Sequence, residues 1–188
     1  MKYLSTDSET LGLKAKKHSL LEFACILEDT SNIKSFEEIP KFQTYIINEE
    51  YHGNPFALNM NRDIIEKLAN YSDSVKDYSF THYNDLALKF YQWLDAVKYE
   101  QPELILAGKN LAMMDLKFLK RVPNFKKYFK VNHKILDPGV LYVDWQNDKE
   151  VPGMTLCNQR AGVVNEKLHS ALADAWNVVQ LLRKQYVK

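Results

Sequence analysis

A chain of 188 residues with 46% apolar and 12% aromatic side chains can bury one well-packed core but is short for two domains. That balance excludes a disordered or low-complexity protein. A formal net charge of +1 excludes recognition of polyanions through a global basic field.

Residues 2–7 read as a first strand, with Tyr3, Leu4 and Thr6 supplying β-favouring side chains. Residues 19–28 and 42–47 are further strands, and the polar stretch 29–40 between them is turn-like, which gives a three-stranded meander. Pro55 opens a helix over 55–68. A second amphipathic helix spans 83–99, with Leu86, Phe90, Trp93, Leu94 and Val97 on one face. Residues 103–107 form a short apolar strand, followed by Gly108 and a helix over 112–122 that Pro123 stops. Residues 134–136 make a last strand, ended by the Asp137-Pro138-Gly139 turn signal. A short helix over 155–161 and a long one over 171–187, capped by Ser170, complete the chain. Strands first, then helices alternating with short strands, predict an α/β domain with a mixed sheet. There is no internal repeat or linker, so residues 1–188 are expected to form a single domain.

Cys25 and Cys157 match no metal-ligand or redox spacing. Asp7 and Glu9 come too early for a signal peptide, and no apolar run approaches the roughly 18 residues of a membrane span. The expectation is a reduced, soluble, cytoplasmic protein with no membrane partner. Charge is nevertheless clustered. Residues 117–134 hold Lys117, Lys120, Arg121, Lys126, Lys127, Lys130 and Lys134 and no acidic residue, leaving the rest of the chain at −6. A basic patch on an acidic body suits a protein that holds metal ions and touches phosphates.

Four carboxylates break the usual rule that Asp and Glu are solvated surface groups. Asp7 and Glu9 stand two residues apart at a strand end, so they share a face. A surface turn is the ordinary alternative. Asp115 has Leu111, Phe118, Leu119 and Val122 on its helical stripe, and Asp174 has Val178 and Leu181 on its own. A helix N-terminus accounts for an acid in a first turn, which covers Asp174 but not Asp115. Ionised carboxylates persist on apolar faces when a cation offsets their desolvation. His169, five residues before Asp174, falls on the loop entering the last helix.

These residues carry a family resemblance. Asp7-Ser8-Glu9-Thr10-Leu11-Gly12-Leu13 resembles the first motif of the DEDDh 3′–5′ exonucleases. Asn110 with Asp115 and the following Leu-Lys-Phe-Leu run resembles the second, and His169-Ser170-Ala171-Leu172-Ala173-Asp174 the third. Asn110 stands five residues before Asp115, an oligoribonuclease-like spacing. The resemblance implies a ribonuclease H-like fold, a mixed five-stranded sheet flanked by helices.

It also implies Asp7, Glu9, Asp115 and Asp174 as ligands of two divalent cations, Mg²⁺ or Mn²⁺, and His169 as the base. Two such ions about 3.5–4 Å apart activate the attacking water and stabilise the leaving 3′-oxygen. His, with an ordinary pKa of about 6.5, suits proton transfer near neutrality. By the same resemblance Thr10 meets the terminal 3′-hydroxyl, Leu13 wedges against terminal bases, and Asn110 belongs to the substrate site. Lys126 and Lys127, in the basic cluster, are expected to track phosphates of the single-stranded DNA or RNA substrate. The products are nucleoside 5′-monophosphates. Relatives act as homodimers or beside a polymerase partner. The competing readings are a catalytically silent nucleic-acid-binding module on the same fold and, less in keeping with the motifs, a metal phosphatase.

Overall fold

A computed structural model describes residues 1–72, 79–164 and 170–187. Its frame is a five-stranded mixed sheet in the order β4-β3-β2-β1-β5. β1 (Lys2–Thr10) pairs antiparallel with β2 (Leu20–Asp29), and β2 antiparallel with β3 (Lys41–Ile47). β4 (Phe80–His82) lies parallel to β3 at one edge, and β5 (Leu106–Ala107) parallel to β1 at the other.

Register decides which side chains meet. Tyr3 opposes Glu28, Ser5 opposes Ile26, Asp7 opposes Ala24 and Glu9 opposes Glu22; Gln43 and Tyr45 continue that row on β3. Because side chains alternate along a strand, all of these share one face of the sheet. Leu4, Phe23, Cys25, Leu27 and Ile46 fill the other.

Helices cover both faces. α7 (Ala171–Arg183) lies on the first, where Ala175, Val178, Val179 and Leu182 pack with Tyr3 and Ile26, and Ser5 Oγ donates to the Ala175 carbonyl at 2.7 Å. Its far end is latched by Glu28, a fully buried carboxylate that accepts from Arg183 at 3.0 and 2.7 Å and from the Tyr186 hydroxyl. On the second face α3 (Leu86–Ala96), α4 (Asp115–Leu119) and α5 (Phe125–Tyr128) close the larger core around Phe90. α1 (Pro55–Met60) and α2 (Arg62–Ala69) bury Ile64 with Leu11, Leu21 and Tyr45, and α6 (Met154–Ala161) flanks α7. Among the described residues no helix is long and apolar enough to cross a membrane.

Several expectations change. The helix over 55–68 is two helices, because Asn61 turns the chain and its amide donates to the carbonyls of Ala57 and Thr10. Residues 134–136 are not a strand. Leu104 bridges Val131 and Ala107 bridges Leu136, so three steps from Leu104 to Ala107 face five along the other segment, and the surplus bulges out of any ladder. The fifth strand is instead β4, whose three residues are too few to show alternation. The helix over 112–122 shrinks to α4, which begins at Asp115, after a turn in which the Leu116 N–H reaches back to Leu111 O. Asp115 is therefore a first-turn acid too, so a helix N-terminus is available to it as well as to Asp174, contrary to the expectation from the sequence. Ser170 occupies the N-cap position of α7 without a side-chain cap.

Candidate active site

β1 runs past Glu9 to Thr10, so Asp7 and Glu9 both project from strand backbone toward α7. Asp174 stands in the first turn of α7, where Ala175, Val178, Val179 and Leu182 hold the helix against the sheet. Asp7, Glu9 and Asp174 each place a carboxylate oxygen within 4.8 Å of the others'. Asp115 arrives over the β5 edge on α4. It is 7% exposed, and its Oδ1 accepts from Ser8 Oγ at 2.6 Å, next to Asp7 and Glu9 in the chain.

A fifth carboxylate joins them. Glu22, directly opposite Glu9 on β2, is 1% exposed; it accepts from Gln43 Nε2 at 2.5 Å and from the Ala171 N–H at 3.3 Å. That second bond does what a Ser170 cap was expected to do, since Ala171 is the first residue of α7. A signal for Glu22 was present in the sequence: it is the lone charge in the apolar run 20–27.

Crowding shows in the protonation equilibria. Burial, then repulsion from Asp115, Glu9, Asp174 and Glu22, pushes the Asp7 carboxyl well above the ordinary range. Burial and the neighbouring Glu22, Asp174 and Asp115 push Glu9 up to about 7. Asp115 is also raised by burial, against the Ser8 hydroxyl that favours its charged form. Carboxylates so placed either take up protons or share a cation. An all-oxygen, anionic donor set of this kind fits a hard divalent ion. Beside the cluster a cleft of about 870 Å³ runs along the same face, walled in part by Gln43, Tyr45, Lys67, Ser170 and Trp176.

The remaining predicted residues are spread more widely. Thr10 ends β1, its hydroxyl donating to the Gly12 carbonyl. Leu13 is 72% exposed on the loop that follows, and Phe56 is 75% exposed on the segment packed beside it, where the Asn54 N–H donates to Leu11 O. Gly12 (φ +144°) is required there, because a Cβ would fall on the His18 ring and the Asn54 amide. Asn110 is left-handed (φ +54°) and forms the turn before α4, its N–H donating to Asp137 Oδ2 at 2.9 Å. Lys126 and Lys127 are not brought to the acidic cluster. They are exposed on α5, which packs on α3, and Lys130 just beyond pairs with Glu103 ahead of β5, at the other end of the sheet. His169 lies outside the described residues.

A family model described as Exonuclease (RNase_T) matches residues 4–182. Among solved structures, E. coli Exonuclease I in complex with a dA16 oligonucleotide superposes with a TM-score of 0.66 at 16% identity, over 99% of this chain and 41% of that one. The ExoI/SSB-Ct complex gives 0.65 at 16%, over 99% and 41%. Cell-death related nuclease 4 (CRN-4) gives 0.65 at 15%, over 98% and 63%. At such identities the likeness shows a shared fold, the ribonuclease H-like mixed sheet. The chain spans about two fifths of the Exonuclease I chains it matches. No curated protein sequence matches it.

Proposed function

The chain belongs to the exonuclease family of the DEDD type, and from that premise we propose that it shortens single-stranded nucleic acid from the 3′ end by divalent-cation-dependent hydrolysis. The observation that carries this is the meeting of Asp7, Glu9 and Asp174 oxygens within 4.8 Å, drawn from a strand and a helix far apart in sequence.

Asp7, Glu9 and Asp174 would hold the cation, with Asp115 completing the set from the Ser8 side. Divalent ions held there, two on this reading and Mg²⁺ or Mn²⁺ by donor chemistry, supply Lewis acidity that makes water nucleophilic near neutral pH and offsets charge gathering on the phosphate. His169, two residues ahead of α7 in sequence, accepts the proton of the attacking water. The water oxygen forms a bond to phosphorus as the bond to the 3′-oxygen of the penultimate nucleotide breaks. The terminal residue leaves as a nucleoside 5′-monophosphate, and the shortened strand keeps a 3′-hydroxyl. Exposed Leu13 and Phe56 offer apolar surface to the terminal bases, and the backbone at Thr10 meets the terminal sugar. E. coli Exonuclease I, which shares this fold, forms complexes with the oligonucleotides dA16 and dT13, and that supports a single-stranded substrate. A silent binding module has no use for five crowded carboxylates, whose repulsion only weakens the fold.

End-labelled DNA and RNA single strands, incubated with Mg²⁺ or Mn²⁺, should give ladders receding from the 3′ end. Asp7→Ala and His169→Ala should each slow turnover by roughly 10²–10⁴-fold, and only Asp7→Ala should also abolish metal binding. No shortening of either strand with either metal would overturn the reading.

A further inference from the structure

Two basic segments far apart in sequence meet beside the sheet. The loop between β1 and β2 carries Lys14, Lys16, Lys17 and His18 with no acidic residue from Leu11 to Ser19. α4 and the turn after it carry exposed Lys117, Lys120 and Arg121. A cleft of about 220 Å³ opens between them, walled by Lys16, Lys17, His18, Tyr83, Phe118 and Arg121. Phe118 is buried in the core beneath and Tyr83 is half-buried, so the cationic walls flank one partly exposed ring, that of Tyr83. The Arg121 guanidinium lies near enough to the Tyr83 phenol to oppose the rise in its pKa that burial causes. The carboxylate in this cleft, Glu50, pairs with His52 at 3.1 Å.

Both walls are rooted in elements that carry the acidic cluster. The loop leaves β1 one residue after Thr10 and is closed at its base by the Leu11 N–H to Ser19 O bond, 2.9 Å. Arg121 follows Asp115 by six residues, roughly 9 Å at 1.5 Å per helical residue. A strand whose 3′ end reaches Asp7 and Asp115 therefore has cations waiting a few nucleotides upstream. Cationic sides with the Tyr83 ring between them make the pattern that grips single strands without reading sequence: charge for phosphates, a ring for a base face.

We infer that the cleft between the β1–β2 loop and α4 binds the phosphates and bases of a single strand on the 5′ side of the scissile bond. The proposal rests on the exonuclease reading for its direction, but binding itself is measurable without catalysis. It also reassigns the basic run at 117–134: Arg121 faces the strand, whereas Lys126 and Lys127 do not.

The test is the Lys16→Ala/Lys17→Ala/Arg121→Ala variant, with Lys149→Ala/Lys184→Ala as a control that removes exposed lysines elsewhere. The first assay is binding of a fluorescent single strand, longer than the roughly 4–16 nucleotides one groove spans, in EDTA so that nothing is cut. Affinity should fall roughly ten-fold at moderate salt, and the slope of log K against log salt should flatten by roughly 0.7 for each phosphate that is no longer neutralised. In turnover, KM for the long strand should rise in step while kcat changes little, and the effect should shrink as the strand is shortened to a dinucleotide. The control should match the parent. Unchanged affinity and slope in the triple variant would overturn the cleft. Weakened binding of the expected size, with a parent protein that cuts no strand, would overturn the exonuclease reading and leave the cleft standing. Thermal melts of all three proteins show whether a loss is one of folding, and the single Arg121→Ala variant carries the test if the triple one melts early.

Discussion

Glu22 is the residue on which the acidic cluster turns, and two substitutions separate its parts. Its charge repels Asp7, Glu9 and Asp174, while its oxygens anchor Gln43 and the first N–H of α7. Glu22→Gln keeps an acceptor and removes the charge. The metal-free protein should then melt higher at pH 8, and the rise in melting temperature on adding Mn²⁺ should be smaller than in the parent. Glu22→Ala removes the acceptor as well; leaving Ala171 N–H and the Gln43 amide without partners costs roughly 1–3 kcal/mol, and both melting temperatures should fall. If the two variants melt alike with and without metal, the division of roles is wrong. Thr6 makes the converse case. Its hydroxyl is the buried side-chain polar atom without a hydrogen-bond partner among the described residues. Thr6→Val should stabilise by about 1 kcal/mol, a rise of roughly 2–4 °C in a chain of this length. A lower melting temperature would show that the hydroxyl has a partner after all. The sequence made Asp7 and Glu9 legible because two-residue spacing on a strand fixes a face. It made Asp115 and Asp174 legible because charge on an apolar stripe is costly. Glu22 broke the same rule in a strand that is buried on both faces, where no alternation exists to violate.

At the scale of elements, α7 is held at both ends by carboxylates from β2: Glu22 at its first residue and Glu28 at its last turn. The Glu28–Arg183 pair is bidentate, largely out of water, and extended by Tyr186, Tyr3 and the Lys34 carbonyl. Removing one partner of a buried pair strands the other's charge and costs roughly 3–5 kcal/mol. Arg183→Leu should therefore lower the melting temperature by on the order of 10 °C. Arg183 lies roughly 13 Å beyond Asp174 along the helix at 1.5 Å per residue. Metal affinity measured well below the melting transition should then stay close to the parent's; a collapse of affinity there would mean that the latch positions Asp174 directly. The long elements were legible because burial leaves a mark over many residues: α3 and α7 carry apolar runs long enough to show a helical period, and β2 is an apolar run over 20–27 interrupted only by Glu22. The misreadings fall where a turn interrupts such a run. Asn61 splits one helix through bonds to carbonyls on two different elements, and residues 110–114 make turns with apolar side chains that mimic a helical stripe. β4 and residues 134–136 are decided by edge pairing, which local sequence does not encode.

Taken whole, the molecule draws its acidic cluster from residues 7–9, 22, 115 and 174, so a cation there ties together segments that the fold alone must hold against their own repulsion. The sequence motifs name four of these carboxylates but not Glu22, and not their distances, which follow from β1 lying between β2 and β5 with α7 across the sheet. The basic cleft was illegible for the same reason: its two lysine-rich segments are about a hundred residues apart, and the continuous run at 117–134 pointed past it. The global arrangement has a pH signature whose sign can be worked out. Glu9 is pushed up to about 7 in the fold against an ordinary value of 4.5, and Asp7 is raised well above its own. A carboxyl whose pKa is higher in the folded than in the unfolded state binds more protons when folded. Metal-free stability is thus greatest below about 4.5 as far as Glu9 is concerned, and declines as pH rises through about 7. Cation binding reverses this, since it requires the deprotonated carboxylates and releases their protons. In EDTA the melting temperature should fall between pH 5 and pH 8. With Mn²⁺ or Mg²⁺ it should be restored, by an increment that grows with pH and is small at pH 5. Asp7→Asn should flatten the decline in EDTA and abolish most of the metal increment. An increment independent of pH would mean that the ion binds elsewhere, away from the raised carboxyls.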